Sequence, residues 1–134
     1  MSYVNYNIII SIQVPFIIDE ANLDTNNETI KLHVCNSSQL ANSGHGARVK
    51  VMHNGKELFS VSPIHPDTAF IGNNKIKVNK LKAKDRAIFT AVSNFATNNK
   101  DLIVEYQNFR NPPSLSRVKE IEGILRRNAK NIFK

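Results

Sequence analysis

The N-terminal part of the chain has a long alternation of apolar and polar positions. Every even position from 4 to 18 carries an apolar or aromatic side chain, whereas the odd positions include asparagine, serine, glutamine and proline. A period of two is typical of a β-strand with one buried and one solvated face. Pro15 cannot donate a hydrogen bond to a neighbouring strand, so the pattern predicts an edge strand, or a bend, at that position.

A second alternation at residues 30–35 predicts another strand. It follows an acidic, turn-rich loop at 19–28 and precedes a polar loop at 36–46, which is long enough to suggest a function. Glycines near the end of that loop would allow a ligand to approach the backbone closely, or would simply make a tight turn into the next strand. The candidate ligand-binding residues of the loop are Gly44, His45 and Gly46.

The clearest local signal is a hairpin around Asn54-Gly55. A two-residue turn would place Val49 opposite Ser60. A three-residue loop with Gly55 in the left-handed conformation would instead place Val49 opposite Phe59 and collect apolar side chains on one face, so we favour it. That register predicts a shared solvent face for Arg48, Lys50 and Lys56.

The remaining elements follow from turns and helical spacing. A strand pair is predicted at 68–71 and 75–79, helix begins near Lys82, and a polar break at 97–99 divides it. This order predicts an α+β fold, in which an antiparallel sheet of about five to six strands is followed by two or three helices packed on one face.

Pro112-Pro113 divides the chain into a single α+β domain at 1–111 and a C-terminal basic amphipathic helix at 112–134. The apolar residues of this helix recur every three or four positions, which predicts a stripe that is buried on its own domain, on a second copy or on another protein. The two prolines favour a partner or a homodimer. The expected interface residues are Val118, Ile121, Leu125, Arg126, Arg127 and Ile132.

Composition agrees with one folded domain. The chain has 134 residues, of which 41% are hydrophobic and 22% charged, enough to bury a core without metal or disulfide cross-links. A single cysteine, Cys35, excludes an internal disulfide and a cysteine-based zinc site. No segment approaches the ~20 apolar residues of a membrane helix. The apolar run at 8–18 has no positive charge before it, so we expect neither a signal peptide nor a membrane partner, and a cytoplasmic location.

Charge is unevenly distributed. Residues 1–47 carry one lysine against four acidic residues, a net charge of −3, whereas residues 48–134 carry 17 Lys and Arg against seven acidic residues, a net charge of +10. A region this basic attracts nucleic acid, another polyanion or an acidic protein. Alternate lysines on a strand lie about 7 Å apart, a spacing that suits phosphates. The candidate nucleic-acid-binding residues are Arg48, Lys50, Lys56, Lys75, Lys77, Lys80, Lys82, Lys84 and Arg86.

No aromatic residue lies among these cations, so the sequence predicts salt-sensitive contacts to phosphate rather than base stacking. The alternative is a solvated sheet edge protected by lysine against aggregation.

Catalytic chemistry has weaker support. His45, His53 and His65, with Asp67, are the only candidate metal or acid–base set, and their spacing matches no ligand pattern. We therefore assign no catalytic residue, metal or cofactor. A small hydrolase or nuclease that uses His45 and His65 is the third function hypothesis.

The sequence HGARVKV at 45–51, the hairpin, the lysine-rich segment and the helix ending NKDLIVEY at 99–106 resemble a small family of uncharacterised prokaryotic and phage α+β domains. Some of these domains are encoded beside toxin–antitoxin-type genes. The resemblance covers residues 45–109 and implies a fold, since the family has no settled activity. The family usually has a cluster rich in proline and histidine where this chain has Gly44-His45-Gly46, and often tryptophan in place of Tyr106.

Two function hypotheses lead. The first is a basic, non-enzymatic module of a phage or mobile element that binds nucleic acid or a ribonucleoprotein. The second is a protein-binding inhibitor of a host defence enzyme, of the anti-CRISPR kind, that uses the N-terminal strand edge or the last helix. Steep salt dependence of binding would favour the first.

Overall fold

The computed structural model describes residues 10–17, 27–34, 48–72, 74–108 and 111–133. Six strands form one antiparallel sheet, in which each strand pairs with its neighbours in sequence. They are β1 (Ile10–Ile17), β2 (Asn27–Val34), β3 (Val49–His53), β4 (Lys56–Ser62), β5 (His65–Ile71) and β6 (Asn74–Lys77). A 3₁₀ turn (Val78–Lys80) leads to three helices, α1 (Ala83–Asn98), α2 (Lys100–Tyr106) and α3 (Leu115–Ala129). The predicted α+β fold is confirmed.

The first two strands confirm the alternation seen in the sequence. In β1 the even positions Ile10, Ile12, Val14 and Phe16 are buried, while Pro15 is exposed. Strand β1 lies at one edge of the sheet, which is the position that a proline in a strand requires. Positions 4, 6, 8 and 18 of the predicted pattern and the predicted loop at 36–46 lie outside the described residues. So does the predicted loop at 19–28 as far as residue 26, whereas its last two residues, 27 and 28, belong to β2.

The hairpin between β3 and β4 differs from the favoured register. His53 opposes Lys56, so the turn between them has two residues, Asn54 and Gly55. Both turn residues have positive φ, 53° for Asn54 and 79° for Gly55. The positive φ predicted for Gly55 is confirmed. This type of turn matches the right-handed twist of the two strands, which explains why the shorter loop forms.

Farther along the hairpin, Val49 opposes Val61 rather than the predicted Phe59. The register shifts by one residue after Val51, where Leu58 is the extra residue of a β-bulge. Without this bulge the two-residue turn would direct Phe59 and Val61 away from the core. The bulge therefore reconciles a tight turn with burial of the apolar residues of β4.

The helices cover one face of the sheet. The ring centroids of Phe59 on β4 and Phe89 on α1 lie 5.8 Å apart, and those of Phe16 on β1 and Phe133 lie 4.9 Å apart. The predicted polar break between the first two helices is present at Asn99.

Helix α3 begins directly after Ser114. This residue is the N-cap, and its hydroxyl accepts a hydrogen bond from the backbone N–H of Arg117 at 3.1 Å. Asn128 of α3 donates to Asn99 at 2.7 Å, and Asn99 donates to the carbonyl of Phe95 at 2.8 Å, so amide hydrogen bonds hold α3 against the end of α1.

The apolar stripe of α3 belongs to the common core. Ile121 and Leu125 are fully buried in it, so the expectation that they are available to a partner is wrong. Val118 and Ile132 are partly buried against the same core, while Arg126 pairs with Glu122 at 2.7 Å. Arg127 is exposed. Pro112-Pro113 separates two helices along the chain without separating them in space.

Among the described residues, no helix combines the length and the apolar character needed to cross a membrane.

We expect Gly55→Ala to lower the free energy of unfolding by about 1 kcal/mol, because a Cβ is penalised at positive φ. Gly123 lies in the middle of α3, and a Cβ there would meet no neighbouring atom. Gly123→Ala should therefore raise stability by about 0.5–1 kcal/mol. Urea unfolding of both variants measures the two effects. Equal effects of the two substitutions would contradict the assigned turn.

Leu125→Ala should destabilise the protein by about 2–5 kcal/mol, since it removes a fully buried side chain from the core. Leu115, on the same helix, is 54% exposed, and Leu115→Ala should change stability by less than about 0.5 kcal/mol. If thermal unfolding shows Leu125→Ala to be as stable as the wild type, α3 is not part of the core.

Candidate functional site

The sheet face opposite the helices brings together residues from all six strands. The strand registers align one row of side chains across this face. The row consists of Ser11, His33, Lys50, Ser60, Phe70 and Lys75. Because neighbouring strands are about 4.8 Å apart, the row is roughly 24 Å long.

This face is basic. Five cationic residues lie on it by strand alternation, and Glu57 is the one acidic side chain there among the described residues. The cations are Lys31, Arg48, Lys50, Lys75 and Lys77. Glu57 already pairs with Lys50 at 3.7 Å, so it offsets little of the remaining charge.

Arg48 is on the predicted face but is not solvated. It is only 4% exposed, and its guanidinium lies 4.2 Å from the centroid of the Phe70 ring. Its Nη1 donates to the carbonyl of Gly72 at 2.9 Å. Burial lowers the pKa of Arg48, and the nearby Glu57 carboxylate partly opposes that shift. The expectation of an exposed Arg48 is wrong because its side chain crosses the sheet to an aromatic ring.

Gln107, which follows α2, fixes the backbone of Arg48. Its Oε1 accepts the Arg48 N–H at 3.1 Å, and its Nε2 donates to the Arg48 carbonyl at 2.9 Å. The side-chain amide thus replaces a neighbouring strand at the start of β3. Sequence analysis missed this residue, because a contact over 59 positions has no local signal.

Lys56 does not share the face of Lys50. The bulge at Leu58 places Glu57 on that face, opposite Met52, and puts Lys56 on the other side of the strand, opposite His53. Lys56 is exposed at the hairpin turn. The predicted common face for Arg48, Lys50 and Lys56 is therefore wrong for Lys56.

The other predicted cations form a continuous exposed group, which we call the lysine surface. It runs from the edge strand β6 through the 3₁₀ turn to the start of α1. Its residues are Lys75, Lys77, Lys80, Lys82, Lys84 and Arg86. Asp85 is the one acidic residue in the first turn of α1, and the N-cap residue Lys82 accepts no hydrogen bond through its side chain.

The histidines do not form a site that the structure describes. His53 lies at the hairpin turn and His65 at the start of β5, where its ring is 6.3 Å from Phe70. Gly44, His45 and Gly46 lie outside the described residues. Within the described part of the chain, no group of three or more His, Cys, Asp or Glu side chains could hold a metal ion.

His33 lies among surroundings that change its protonation. Desolvation, followed by the charges of Lys31 and Lys50, lowers its pKa from the ordinary value of 6.5. The folded state therefore favours the neutral ring, and below pH 6.5 the unfolded state binds more protons.

We expect the free energy of unfolding to fall as the pH is lowered from 7.5 to 5.5, with the loss beginning near pH 6.5. His33→Gln should reduce this loss, since glutamine does not titrate. His53→Gln is the matched control and should retain it. Chemical denaturation at several pH values is the measurement, and an unchanged pH dependence in His33→Gln would contradict the assignment.

Comparison of the chain with protein-family models, with curated proteins and with solved structures finds no match.

Proposed function

We propose that the protein is a non-enzymatic module that binds the phosphate backbone of nucleic acid through the lysine surface. The observation that carries this proposal is the run of exposed cations Lys80, Lys82, Lys84 and Arg86 at the N-terminal end of α1, a helix of 16 residues, which continues Lys75 and Lys77 of the edge strand β6. The backbone dipoles of a helix give this end a partial positive charge, and its first N–H groups point outward without intrahelical partners. Side chains and helix end therefore attract the same anion.

Cations at the start of a helix lower the stability of the folded protein when no ligand is bound. Acidic residues normally occupy the first turn of a helix, and a serine, threonine, aspartate or asparagine normally caps it. Here the N-cap is Lys82, followed by Lys84 and Arg86, with Asp85 as the only acidic residue of the first turn. An anionic partner would turn this repulsion into attraction, which favours a binding role for the lysine surface.

Protection of a sheet edge explains only part of the same residues. Lys75 and Lys77 lie on β6, which is an edge strand, and exposed lysines there discourage pairing with other chains. Lys80 and Lys82 come after the strand has ended, where no edge needs protection. We therefore favour a ligand-binding role for the group as a whole.

The expected mode of recognition is electrostatic. The segment from residue 74 to 86 contains no aromatic side chain, so it offers no ring on which a base could stack. Lysines contact phosphates as flexible point charges and read no sequence. We expect weak affinity, little sequence preference and strong dependence on salt.

A protein with an acidic surface is the second candidate partner, because the same charges would attract it. This is the version of the host-defence inhibitor hypothesis that the exposed residues favour, since the central apolar residues of α3 are buried. In either case we propose a phage or mobile-element accessory protein as the biological context.

The lysine surface is tested by changing Lys75, Lys77, Lys80 and Lys82 together to glutamine. Affinity for duplex DNA in 50 mM salt should fall, and the slope of log K against log salt should flatten by up to about 3.6, roughly 0.9 for each lost phosphate contact. Fluorescence anisotropy across a salt series measures both quantities. Thermal unfolding should be nearly unchanged, since exposed lysines contribute little to stability.

A matched control removes four exposed cations from the helical layer instead. It changes Lys100, Lys119, Arg127 and Lys130 to glutamine. If the two quadruple variants lose affinity equally, net charge rather than the lysine surface drives binding. If the wild type does not bind DNA or RNA in 50 mM salt, the proposed function is wrong, and saturable, salt-insensitive capture of one protein would favour the alternative.

A further inference from the structure

The face opposite the helices contains an arginine with incomplete hydrogen bonding. The Nη1 group of Arg48 is bound to the carbonyl of Gly72, but Nε and Nη2 are buried and have no hydrogen-bond partner within the described structure. The hydroxyl of Ser60, which is 1% exposed, has none either. Three polar groups are thus withdrawn from water without compensation.

Such a combination is uncommon in folded proteins. Buried polar groups are nearly always hydrogen-bonded, and a buried charge is normally paired with an opposite one. The stacking of the guanidinium on Phe70 stabilises the cation through the face of the ring, but it leaves the N–H groups at the edge unsatisfied. An anion bound at that edge would remove the penalty.

A second arginine shows what this edge binds. In Arg117 the Nε and Nη2 groups donate to the two carboxylate oxygens of Glu105, at 2.7 and 2.8 Å. These are the same two nitrogens that lack partners in Arg48. The planar fork that they form matches two oxygens of a carboxylate or a phosphate.

The strand register places Ser60 on the path of the Arg48 side chain. Arg48 immediately precedes β3, and its guanidinium reaches Phe70 on β5, so the side chain crosses β4. Ser60 is the residue of β4 that lies opposite Phe70. A serine is small enough to let the arginine pass, and its buried hydroxyl is a third donor without a partner in this part of the face.

We propose that Arg48 and Ser60 form an oxyanion-binding site that takes a single phosphate group. Three donors suit a tetrahedral oxyanion better than a planar carboxylate, and Lys50 and Lys75 lie in the same cross-strand row as Ser60. Arg48 is only 4% exposed, so we expect the site to take one small phosphate group rather than the middle of a strand.

The phosphate has two sources with the same chemistry. One is free inorganic phosphate, and the other is the terminal phosphate of a nucleic-acid strand. Only the second source rests on the proposed function, in which the lysine surface holds the rest of the strand.

Inorganic phosphate is the first probe. Calorimetric titration at pH 7.5 should show saturable binding to the wild type, with acetate binding at least tenfold more weakly. Arg48→Lys keeps the charge but loses the fork, and should weaken phosphate binding roughly tenfold or more, as the loss of charge-assisted hydrogen bonds implies. Ser60→Ala should weaken it less. Arg117→Lys, which alters the edge bound to Glu105, is the matched control and should bind like the wild type.

Oligonucleotides separate the two sources. A single strand with a 5′-phosphate should bind the wild type more tightly than the same strand with a 5′-hydroxyl, and Arg48→Lys should remove that difference. If both strands bind equally and the lysine-surface variant loses both, the proposed function stands and the strand-end assignment fails. If phosphate binds but neither strand does, the oxyanion site stands and the proposed function fails.

A spectroscopic measurement covers the case in which Arg48→Lys does not fold. The arginine Nε–H resonances of the wild type report each side chain separately, and that of Arg117 is assigned from Arg117→Lys. The Nε–H resonance of the buried Arg48 should shift on phosphate titration, while that of Arg117 should not. Absence of saturable phosphate binding by the wild type, or acetate binding as tight as phosphate, overturns the proposal.

Discussion

Burial of one face of the sheet under the C-terminal helices is the constraint on which the rest of this structure depends. The strands β1, β4 and β5 pack directly against helices, and the buried residues of β2 and β3 belong to the same core. The helix on β4 begins about 20 positions later in the chain, and the buried residues of α3 come more than 100 positions after those of β1. Neither layer can bury its apolar side chains without the other. Removing α3 would uncover the part of β1 around Phe16, and for this reason the helix that follows the two prolines belongs to the core.

The opposite face of the sheet carries the polar chemistry because the core does not occupy it. Strand alternation sends Lys31, Lys50, Lys75 and Lys77 to that face, together with Arg48. The bulge at Leu58 controls part of this composition, since it places Glu57 rather than Lys56 there. The extra residue Leu58 thus allows Phe59 to be buried and places Glu57 where it pairs with Lys50.

Two features of the molecule lower its stability in isolation, and both would be relieved by an anion. Cations at the start of α1 repel the positive end of the helix, and the buried edge of Arg48 lacks a partner. The two features differ in kind. The lysine surface is exposed, and we propose a string of phosphates for it, whereas Arg48 and Ser60 are buried, and we propose a single phosphate group for them.

Local patterns determined the strands and helices themselves. The alternation at residues 10–16, the positive φ of Gly55 and the polar break at Asn99 are all properties of a few neighbouring residues, and each was predicted from the sequence. The basic character of residues 75–86 is equally local, because exposed cations that are close together in the sequence also lie close together on the surface.

Tertiary structure decided what depends on distant residues. The register of β3 against β4 required a bulge, because the turn favoured one pairing and burial of Phe59 and Val61 favoured another. The burial of Arg48 depends on Phe70 and Gly72 across the sheet and on Gln107 from the helical layer. The docking of α3 depends on β1 at the other end of the chain. In each case local preference left more than one arrangement open, and the free energy of burying apolar surface in a shared core selected among them.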